Sequence, residues 1–222
     1  AEAYRVPARV VAKNLVALGG IAPEDAALAE PLACCLKGIE DTAVGKGDRV
    51  LIIGAGSIAL MLARLSTLRG AEVTLAARRS EALEMARAQG VPHVAGLRVQ
   101  GDGLQIEGHE RRGFDAVFDA AGASETAALA LDVVASGGSV NLFAGSPAGT
   151  RVAADATRIH YEELRVLGSF HHTPASFRAA LALIGEGAIE PRRFVTATPR
   201  LEELPDFLMS QTPGSLKALV RL

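Results

Sequence analysis

Short aliphatic runs recur along the middle of the chain, and segments with a helical period separate them. The runs that predict strands are Arg49–Ile53, Glu72–Ala76, Val91–Ala95, Asp115–Asp119, Ser139–Phe143 and Arg165–Gly168. The segments that predict helices between them are Ser57–Arg69, Glu81–Gln89 and Ser124–Val134. Strands that are apolar nearly throughout and alternate with helices are typical of a parallel sheet covered on both faces. The pattern therefore predicts an α/β fold with a doubly wound, six-stranded parallel sheet.

Turn signals sharpen this pattern. Gly70 and Gly90 follow two of the predicted helices, at positions where a positive φ is needed. Ser80 and Ser124 are placed to act as helix N-caps. Residues 97–113 do not follow the pattern, because alternating residues between several glycines predict a small hairpin there.

The two ends of the chain have a different character. The head, residues 1–29, has a strand-like stretch at Arg9–Ala12 and a helix-like one at Pro23–Glu30. The tail, from residue 173, predicts two helices and two short strands, at Phe177–Ile184, Leu201–Met209, Phe194–Ala197 and Leu216–Val220. We expect both ends to pack beside the parallel sheet, outside its core.

Composition narrows the class of protein. The 222 residues are 49% hydrophobic, and 23 basic against 25 acidic side chains give a net charge of −2. These values disfavour a disordered chain and a nucleic-acid binder, and two adjacent cysteines, Cys34 and Cys35, do not make a disulfide scaffold. Apolar runs such as Val50–Ile53 are too short for a membrane span of about 20 residues. Without a secretory signal, the sequence predicts a cytoplasmic protein with neither nucleic acid nor membrane as partner.

The most informative motif is a G-x-G-x-x-A turn that follows the first strand and opens a helix. Gly54 would allow the sharp turn, Gly56 would let a pyrophosphate approach the backbone, and Ala59 would keep the helix close to the sheet. The N–H groups near Ser57 and Ile58 would then face an anion at a helix N-terminus. This context predicts a dinucleotide-binding Rossmann domain, with a tight turn that binds no ligand as the alternative.

The end of the second predicted strand indicates which dinucleotide is bound. NAD sites usually place an acidic residue there to accept from the ribose hydroxyls. Here the position holds Ala77, and Arg78, Arg79 and Ser80 follow it. Because guanidinium groups bind phosphate in a bidentate manner, the sequence predicts NADP(H) as the cofactor. The alternative is that both arginines are merely solvated in a loop.

Several stretches together resemble the zinc-type medium-chain dehydrogenases of the alcohol dehydrogenase superfamily, especially the polyol and threonine dehydrogenase branch. In addition to the glycine turn, the stretches are Glu30–Cys35, Phe118–Gly122, Gly137–Val140, His160–Ser169 and Leu216–Val220. Each is weak alone, but their order and spacing match along nearly the whole chain. The resemblance implies an enzyme that transfers a hydride between NADP(H) and a secondary alcohol or polyol, or its ketone.

The resemblance also implies roles for individual residues. Residues beside the nicotinamide ribose and ring would be Ala121, Gly122, Phe143 and Ala144, with Ser169 and Phe170 near the carboxamide and Lys217 near the pyrophosphate. Plain core packing is the alternative for the two phenylalanines, and a solvated side chain is the alternative for the lysine. Family members often pair through the last sheet strand, so we expect a homo-oligomer formed along Arg165–Ser169.

The residues that bind the catalytic zinc in the family are the least well matched in this sequence. The resemblance assigns residues 1–29 to the end of a GroES-like catalytic domain, 30–172 to the NADP-binding domain, and 173–222 to a segment returning to the catalytic domain. Most of that catalytic domain, with its metal ligands, has no counterpart here, and Glu30 alone matches a residue at or beside the metal. One carboxylate does not make a zinc site, so we expect that this chain alone does not hold zinc.

Other candidate ligands have simpler interpretations. Cys34 and Cys35 are neighbours on a predicted helix and are interpreted as packing residues. His171 and His172 are interpreted as exposed loop residues that could alternatively meet substrate, whereas His93 and His109 have no visible partner.

Two further functions stay open. One is a non-catalytic NADP(H)-binding module that lacks the metal. The other is a zinc-independent enzyme similar to quinone reductases, which the Glu30-Pro31-Leu32 motif disfavours.

Overall fold

The computed structural model describes residues 4–101, 103–109, 113–210 and 215–220. Seven strands form one sheet in the order β4-β3-β2-β1-β5-β6-β7. Their bounds are β1 Arg49–Ile53, β2 Glu72–Ala77, β3 His93–Gln100, β4 Gly103–Ile106, β5 Phe114–Asp119, β6 Val134–Leu142 and β7 Arg165–Leu167. All neighbours pair in parallel except β4, which is antiparallel to β3. The doubly wound sheet is confirmed, with a seventh strand added to the predicted six.

The added strand comes from the predicted hairpin. Strand β4 pairs with the second half of β3, from Leu97 opposite Ile106 to Gln100 opposite Gly103. Residues 102 and 110–112 of the predicted hairpin segment lie outside the described residues. Within the described part, the hairpin is confirmed, and it occupies the place where a crossover helix would otherwise connect two parallel strands.

Helices cover both faces of the sheet. Their bounds are α1 Ala8–Asn14, α2 Pro23–Ala26, α3 Ala29–Thr42, α4 Ser57–Leu68, α5 Ser80–Ala88, α6 Ser124–Val133, α7 Ala156–Tyr161, α8 Pro174–Gly185 and α9 Leu204–Met209. Alternate residues of a strand point to opposite faces, so Val50 and Ile52 pack with α3, α4, α5 and α8, while Leu51 and Ile53 pack with α6. None of the described helices is long and apolar enough to cross a membrane.

The helix ends agree only partly with the turn signals. Gly70 and Gly90 have φ values of +82° and +83°, as expected just after a helix. The N-cap prediction is wrong for Ser80 and Ser124, which are the first helical residues of α5 and α6. In α6 the hydroxyl of Thr126 accepts from the backbone N–H of the N-cap residue, so the helix start is stabilised from inside the first turn.

The head of the chain is helical. The strand predicted at Arg9–Ala12 is wrong, because α1 covers that stretch and begins directly after Pro7, whose fixed φ suits a helix start. No residue of α1 is buried, and no described strand pairs with it. The helix predicted at Pro23–Glu30 is divided into the short α2 and the first residues of α3.

The tail contributes to the core and forms a small second sheet. Helix α8 packs on α3, and its Ala180, Leu181 and Ile184 join the core cluster, so the tail is not outside the core as predicted. Strands β8 (Val195–Ala197) and β9 (Lys217–Ala218) pair in parallel, and the latter is shorter than predicted. The predicted helix at Leu201–Met209 begins as a 3-10 turn and continues as α9, and a second 3-10 turn covers Pro191–Phe194.

Candidate nucleotide-binding site

The predicted site residues meet at one edge of the main sheet. Gly54 follows β1, Arg78 follows β2, Ala121 follows β5, Phe143 follows β6 and Ser169 lies just beyond β7. These strands are parallel, so their carboxyl ends lie along the same edge. In open α/β sheets this edge is where ligands bind.

The glycine turn has the geometry of an anion cradle. Gly54 has a φ of +120°, and a Cβ there would lie 3.2 Å from the carbonyl oxygen of Ala120. Gly56 is the N-cap of α4, has no side chain to cap the helix, and has open space where a Cβ would be. Ser57, which is buried, and the half-buried Ile58 open the helix, so their N–H groups are among those without an intrahelical acceptor. These features fit a bound pyrophosphate.

The end of β2 presents two cations and no acid. Ala77 is buried with 7% of its surface exposed, while Arg78 and Arg79 are exposed. Neither guanidinium group makes a hydrogen bond or ion pair with a described residue. The pKa of the Glu125 carboxyl at the start of α6 is lowered most by a hydrogen bond from its own backbone N–H and next by one from the Ser124 hydroxyl, and the charge of Arg78 is a lesser cause.

The loops after β5 and β6 are held together by Asp119, a residue that the sequence analysis did not single out. Its side chain is 1% exposed, and its Oδ1 accepts from the backbone N–H groups of Ala121 at 3.0 Å and Gly122 at 3.2 Å. Its carbonyl oxygen accepts from the N–H groups of Phe143 and Ala144. An acidic residue that ends a strand before Ala-Ala-Gly is the signal that could have identified it.

Close packing fixes the same two loops against each other. Gly122 has a φ of +77°, and a Cβ there would lie 2.7 Å from the carbonyl oxygen of Gly145. Glycine is therefore required at this position for both conformation and space.

The two phenylalanines differ in burial. The ring of Phe143 lies over Gly38 of α3, where an added Cβ would be 2.6 Å from ring atom Cε2. Phe143 thus packs against the core, in agreement with the alternative interpretation. Phe170 is 82% exposed and its ring lies against His171 with 4.0 Å between centroids, so core packing is wrong for this residue.

Ser169 belongs to a polar network between β6, the end of β7 and α3. Its hydroxyl donates to Asp41 Oδ2 at 2.6 Å and accepts from Asn141 Nδ2 at 2.9 Å. Lys37 forms an ion pair with the same Asp41 oxygen. Asn141 also donates to Thr42 Oγ1 at 2.9 Å, so a buried amide links the strand to the helix. The sequence analysis did not identify Asp41 or Asn141, since contacts 28 to 128 residues apart leave no local pattern.

Lys217 lies on β9, and its charge acts on Cys35 of α3. The buried Cys35 thiol donates to the carbonyl oxygen of Ile58 over 3.9 Å. Burial raises the pKa of this thiol most, Cys34 and Glu30 raise it further, and the charge of Lys217 lowers it. The position of Lys217 relative to the glycine turn, where the resemblance assigns it to the pyrophosphate, stays a prediction.

The metal corner, which we define as Glu30 and Cys34 on the first turns of α3, is incomplete. Cys34 Sγ donates to Glu30 Oε1 at 3.2 Å. Burial and this bond, with the charge of Glu30, raise the pKa of the Cys34 thiol to about 11. The described residues contain no group of three or more histidine, cysteine or acidic side chains that could hold a metal ion. These residues therefore do not fit the family's zinc.

The two cysteines have different environments. Cys35 is fully buried, which confirms it as a packing residue, whereas Cys34 is only half-buried.

The histidines do not complete the metal corner. His171 is exposed with a φ of +58°, and the ring of His172 packs on Phe177. His93 and His109 line a cavity of about 600 Å³ at the opposite end of the strands, where the ring of His109 contacts Phe114.

Comparison with known proteins agrees with this geometry. A family model for the zinc-binding dehydrogenases matches residues 54–186. D-altritol 5-dehydrogenase of Agrobacterium fabrum is 30% identical over 215 residues, which cover 94% of this chain and 62% of the relative. D-arabinitol dehydrogenase 1 of Uromyces fabae is 28% identical over 206 residues, which cover 90% and 59%. The chain thus spans about 60% of the length of these relatives.

A solved structure of a zinc-binding dehydrogenase is also similar to this chain. A protein from Sinorhizobium meliloti 1021, described as a zinc-binding dehydrogenase and bound to NADP, superposes with a TM-score of 0.80 at 32% identity. The alignment covers 91% of this chain and 60% of that protein. The family match includes the glycine turn and the strand-end loops and extends over more than half of the residues, so the chain belongs to the zinc-binding dehydrogenase family.

Proposed function

We propose that this chain binds NADP(H) along the carboxyl edge of its sheet, for hydride transfer between that cofactor and a secondary alcohol or polyol, or its ketone. The observation that supports it best is the combination of an open cradle at Gly56 with Arg78 and Arg79, and no acid at Ala77. The NADP found in the similar Sinorhizobium protein gives independent support.

Each part of the edge has a task in this proposal. The N–H groups of Ser57 and Ile58 donate to the pyrophosphate, and Lys217 adds a positive charge nearby. Arg78 and Arg79 bind the 2′-phosphate of the adenosine half.

The loops at the ends of β5, β6 and β7 contact the nicotinamide half of the cofactor. The rigid loops of Ala121, Gly122, Phe143 and Ala144 form one wall of the nicotinamide site, and Ser169 faces the carboxamide. Hydride exchange is the chemistry that a nicotinamide group supplies when bound. The role of these residues is to hold one face of the ring toward the substrate and to keep the ring from rotating.

The names of the relatives support the substrate class. Both compared enzymes are polyol dehydrogenases by name, and a polyol has the secondary alcohol carbon that such a reaction requires. We place Glu30 near the substrate oxygen, because Cys35, further along α3, contacts the carbonyl oxygen of Ile58 at the start of α4. We derive no step through zinc, since the described residues do not form a site for it.

The remaining expectations stay predictions. They are the division into residues 1–29, 30–172 and 173–222, a cytoplasmic location, and a homo-oligomer formed along β7, whose outer edge is unpaired in the described sheet. Sedimentation at micromolar concentration tests the last, and a strict monomer would contradict it.

The decisive experiment compares the two coenzymes by calorimetry. We expect NADPH to bind at least about tenfold more tightly than NADH, because two guanidinium groups contact the extra phosphate. The double variant Arg78→Ala/Arg79→Ala should lose that preference and keep its NADH affinity, whereas Arg87→Ala on the exposed face of α5 serves as the matched control. Tighter binding of NADH, or no binding of either coenzyme, would overturn the proposal.

A second measurement separates the catalytic enzyme from the non-catalytic module. Zinc content and oxidation of a polyol are measured on the same NADPH-binding sample. Coenzyme binding without metal or turnover would favour the non-catalytic module, and turnover without metal would favour the zinc-independent enzyme.

A further inference from the structure

A cavity of about 290 Å³ lies between the end of α1 and the first turns of α8. Two positively charged side chains line it, Lys13 from α1 and Arg178 from α8, and His172 is also part of the lining. No acidic side chain is among the described residues that line this cavity. The chain as a whole has 25 acidic against 23 basic side chains, so two cations without a counter-charge in one cavity indicate an anionic ligand.

Both cations can donate to a ligand. Lys13 and Arg178 are exposed, and Lys13 makes no hydrogen bond or ion pair with a residue that the structure describes. Arg178 makes one hydrogen bond within the described chain, from Nη1 to the carbonyl oxygen of Pro174 at 3.2 Å. This bond holds the guanidinium group beside the first turn of α8 and uses only part of its N–H groups. The others can bind a phosphate or carboxylate group in a bidentate manner.

The rest of the lining suits a carbon chain that carries hydroxyl groups. Val16 and Phe177 are half-buried and pack against the core cluster, and the ring of His172 lies 5.5 Å from that of Phe177 between centroids. His172 Nδ1 is 3.3 Å from the carbonyl oxygen of Thr173. Because a carbonyl only accepts, Nδ1 is the donor, and Nε2 of the neutral ring is an acceptor. An acceptor in the same cavity as two cations fits a ligand that has both hydroxyl groups and an anionic end.

The chain connects this cavity directly to the carboxyl edge of the sheet. His172 is the third residue after Ser169, which lies just beyond β7. Three residues span at most about 11 Å when fully extended. Since His171 has a φ of +58°, the connection turns and the true distance is shorter. The cavity and the ends of the last strands are therefore neighbouring parts of one surface.

We propose that this cavity binds the phosphate or carboxylate group at one end of the substrate, so that the substrate class is an anionic polyol, either a polyol phosphate or a polyhydroxy acid. The inference rests on the proposed function, and it adds a charge to the polyol of that function. Lys13 and Arg178 contact the anionic group, and Nε2 of His172 accepts from a hydroxyl group of the carbon chain.

The test measures binding to the protein saturated with NADPH. Under the proposed function, NADPH fills the cradle at Gly56 and engages Arg78 and Arg79, so these groups cannot take up an anionic probe. NADPH also cannot accept a hydride, so no turnover disturbs the measurement. Calorimetry compares sorbitol 6-phosphate and gluconate with uncharged sorbitol. We expect at least one of the two anions to bind at least about tenfold more tightly than sorbitol, because it gains charge-assisted contacts with two cations. Equal binding of all three would contradict the inference.

The double variant Lys13→Gln/Arg178→Gln tests the two cations. It removes both charges and keeps polar side chains, so the preference for the anion over sorbitol should fall to about twofold or less. Arg87→Gln, which removes an exposed charge on α5, should leave the preference unchanged. His172→Phe keeps a ring against Phe177 and should weaken the charged and the uncharged ligand equally, because it removes only the acceptor for a hydroxyl group. An unchanged preference in the double variant would overturn the inference.

Inorganic phosphate distinguishes the end of a substrate from a separate anion. The emission of bound NADPH depends on the surroundings of its nicotinamide. A substrate that extends from the cavity to the strand ends should change this emission, whereas inorganic phosphate should compete for the cavity without changing it. If the bound anionic polyol leaves the emission unchanged, the cavity serves a separate anion and the inference is overturned.

The binding of NADPH itself separates the two proposals. If NADPH binds and neither sorbitol 6-phosphate nor gluconate does, the inference fails alone. If NADPH does not bind, the proposed function fails and the inference fails with it.

Discussion

The carboxyl edge of the sheet and the metal corner differ in what builds them. The edge depends on backbone: the turn at Gly54, the free N–H groups after Gly56 and the loops tied to Asp119. The metal corner depends on side chains, and in the described residues it has only Glu30 and Cys34. A site made of backbone is complete once its local segment folds, whereas a metal site needs several ligands from distant positions.

This difference determines which of the two sites can be inferred from a local segment of the sequence. The cradle at Gly56 is formed within one strand–turn–helix unit, so its backbone geometry follows from a local segment. The corner around Glu30 is instead tuned by local charge and burial, which raise the pKa of Cys34 and keep it protonated. The two regions should therefore respond independently to mutation.

The largest expected effect comes from filling the cradle. Gly56→Asp should weaken NADPH binding by at least about a hundredfold, because it places a side chain and a negative charge at the proposed pyrophosphate site. Gly56 has a φ of −80° and open space around an added Cβ, so the fold should be unaffected. Calorimetric titration together with the thermal unfolding midpoint checks both statements.

The control for this variant is another unhindered glycine. Gly103→Asp in the β3–β4 hairpin introduces the same charge, also with open space for a Cβ and no positive φ. It should bind NADPH as the unaltered protein does. Equal loss of affinity in the two variants would mean that charge, and not the cradle, is responsible.

An intermediate effect is expected from Asp119, which links the two strand-end loops. Asp119→Ala removes the acceptor for the N–H groups of Ala121 and Gly122 and should lower the free energy of unfolding by about 2 kcal/mol. Coenzyme affinity should fall with it, because the nicotinamide wall loses its rigidity. Asp119→Asn keeps an acceptor oxygen and should lose less than half as much stability. Chemical denaturation measures both, and equal losses would show that the hydrogen bonds are not the cause.

Local patterns predicted most of the sheet. The bounds of β1 at Arg49–Ile53 and the helix after the glycine turn agree with the sequence to within a residue, because an apolar run and a glycine turn act over short distances. The hairpin in place of a crossover helix was also predictable, since its glycines interrupt the helical period. The strand-like stretch at Arg9–Ala12 was misleading, because a strand needs a partner and α1 has none among the described strands.

Only the site residues that are close together in the sequence could be predicted from it. The glycine turn and the pair Arg78–Arg79 are contiguous in sequence and come together as expected. Whether they bind NADP(H) stays a prediction. The network of Asp41, Asn141 and Ser169 was not predicted, because its members come from one helix and two strand ends and meet only in the folded chain.

The smallest expected effect concerns the metal corner. Glu30→Gln removes the charge and the carboxylate acceptor that help to raise the pKa of Cys34, while burial remains, so the pKa should fall part of the way from about 11 toward 9.0. Since a thiol reacts as the thiolate, alkylation of Cys34 by iodoacetamide at pH 8 should become roughly three- to tenfold faster. Glu40→Gln, also exposed on α3, should not change the rate. NADPH affinity should be the same in both variants; a change caused by Glu30→Gln would mean that the corner and the edge are one coupled site.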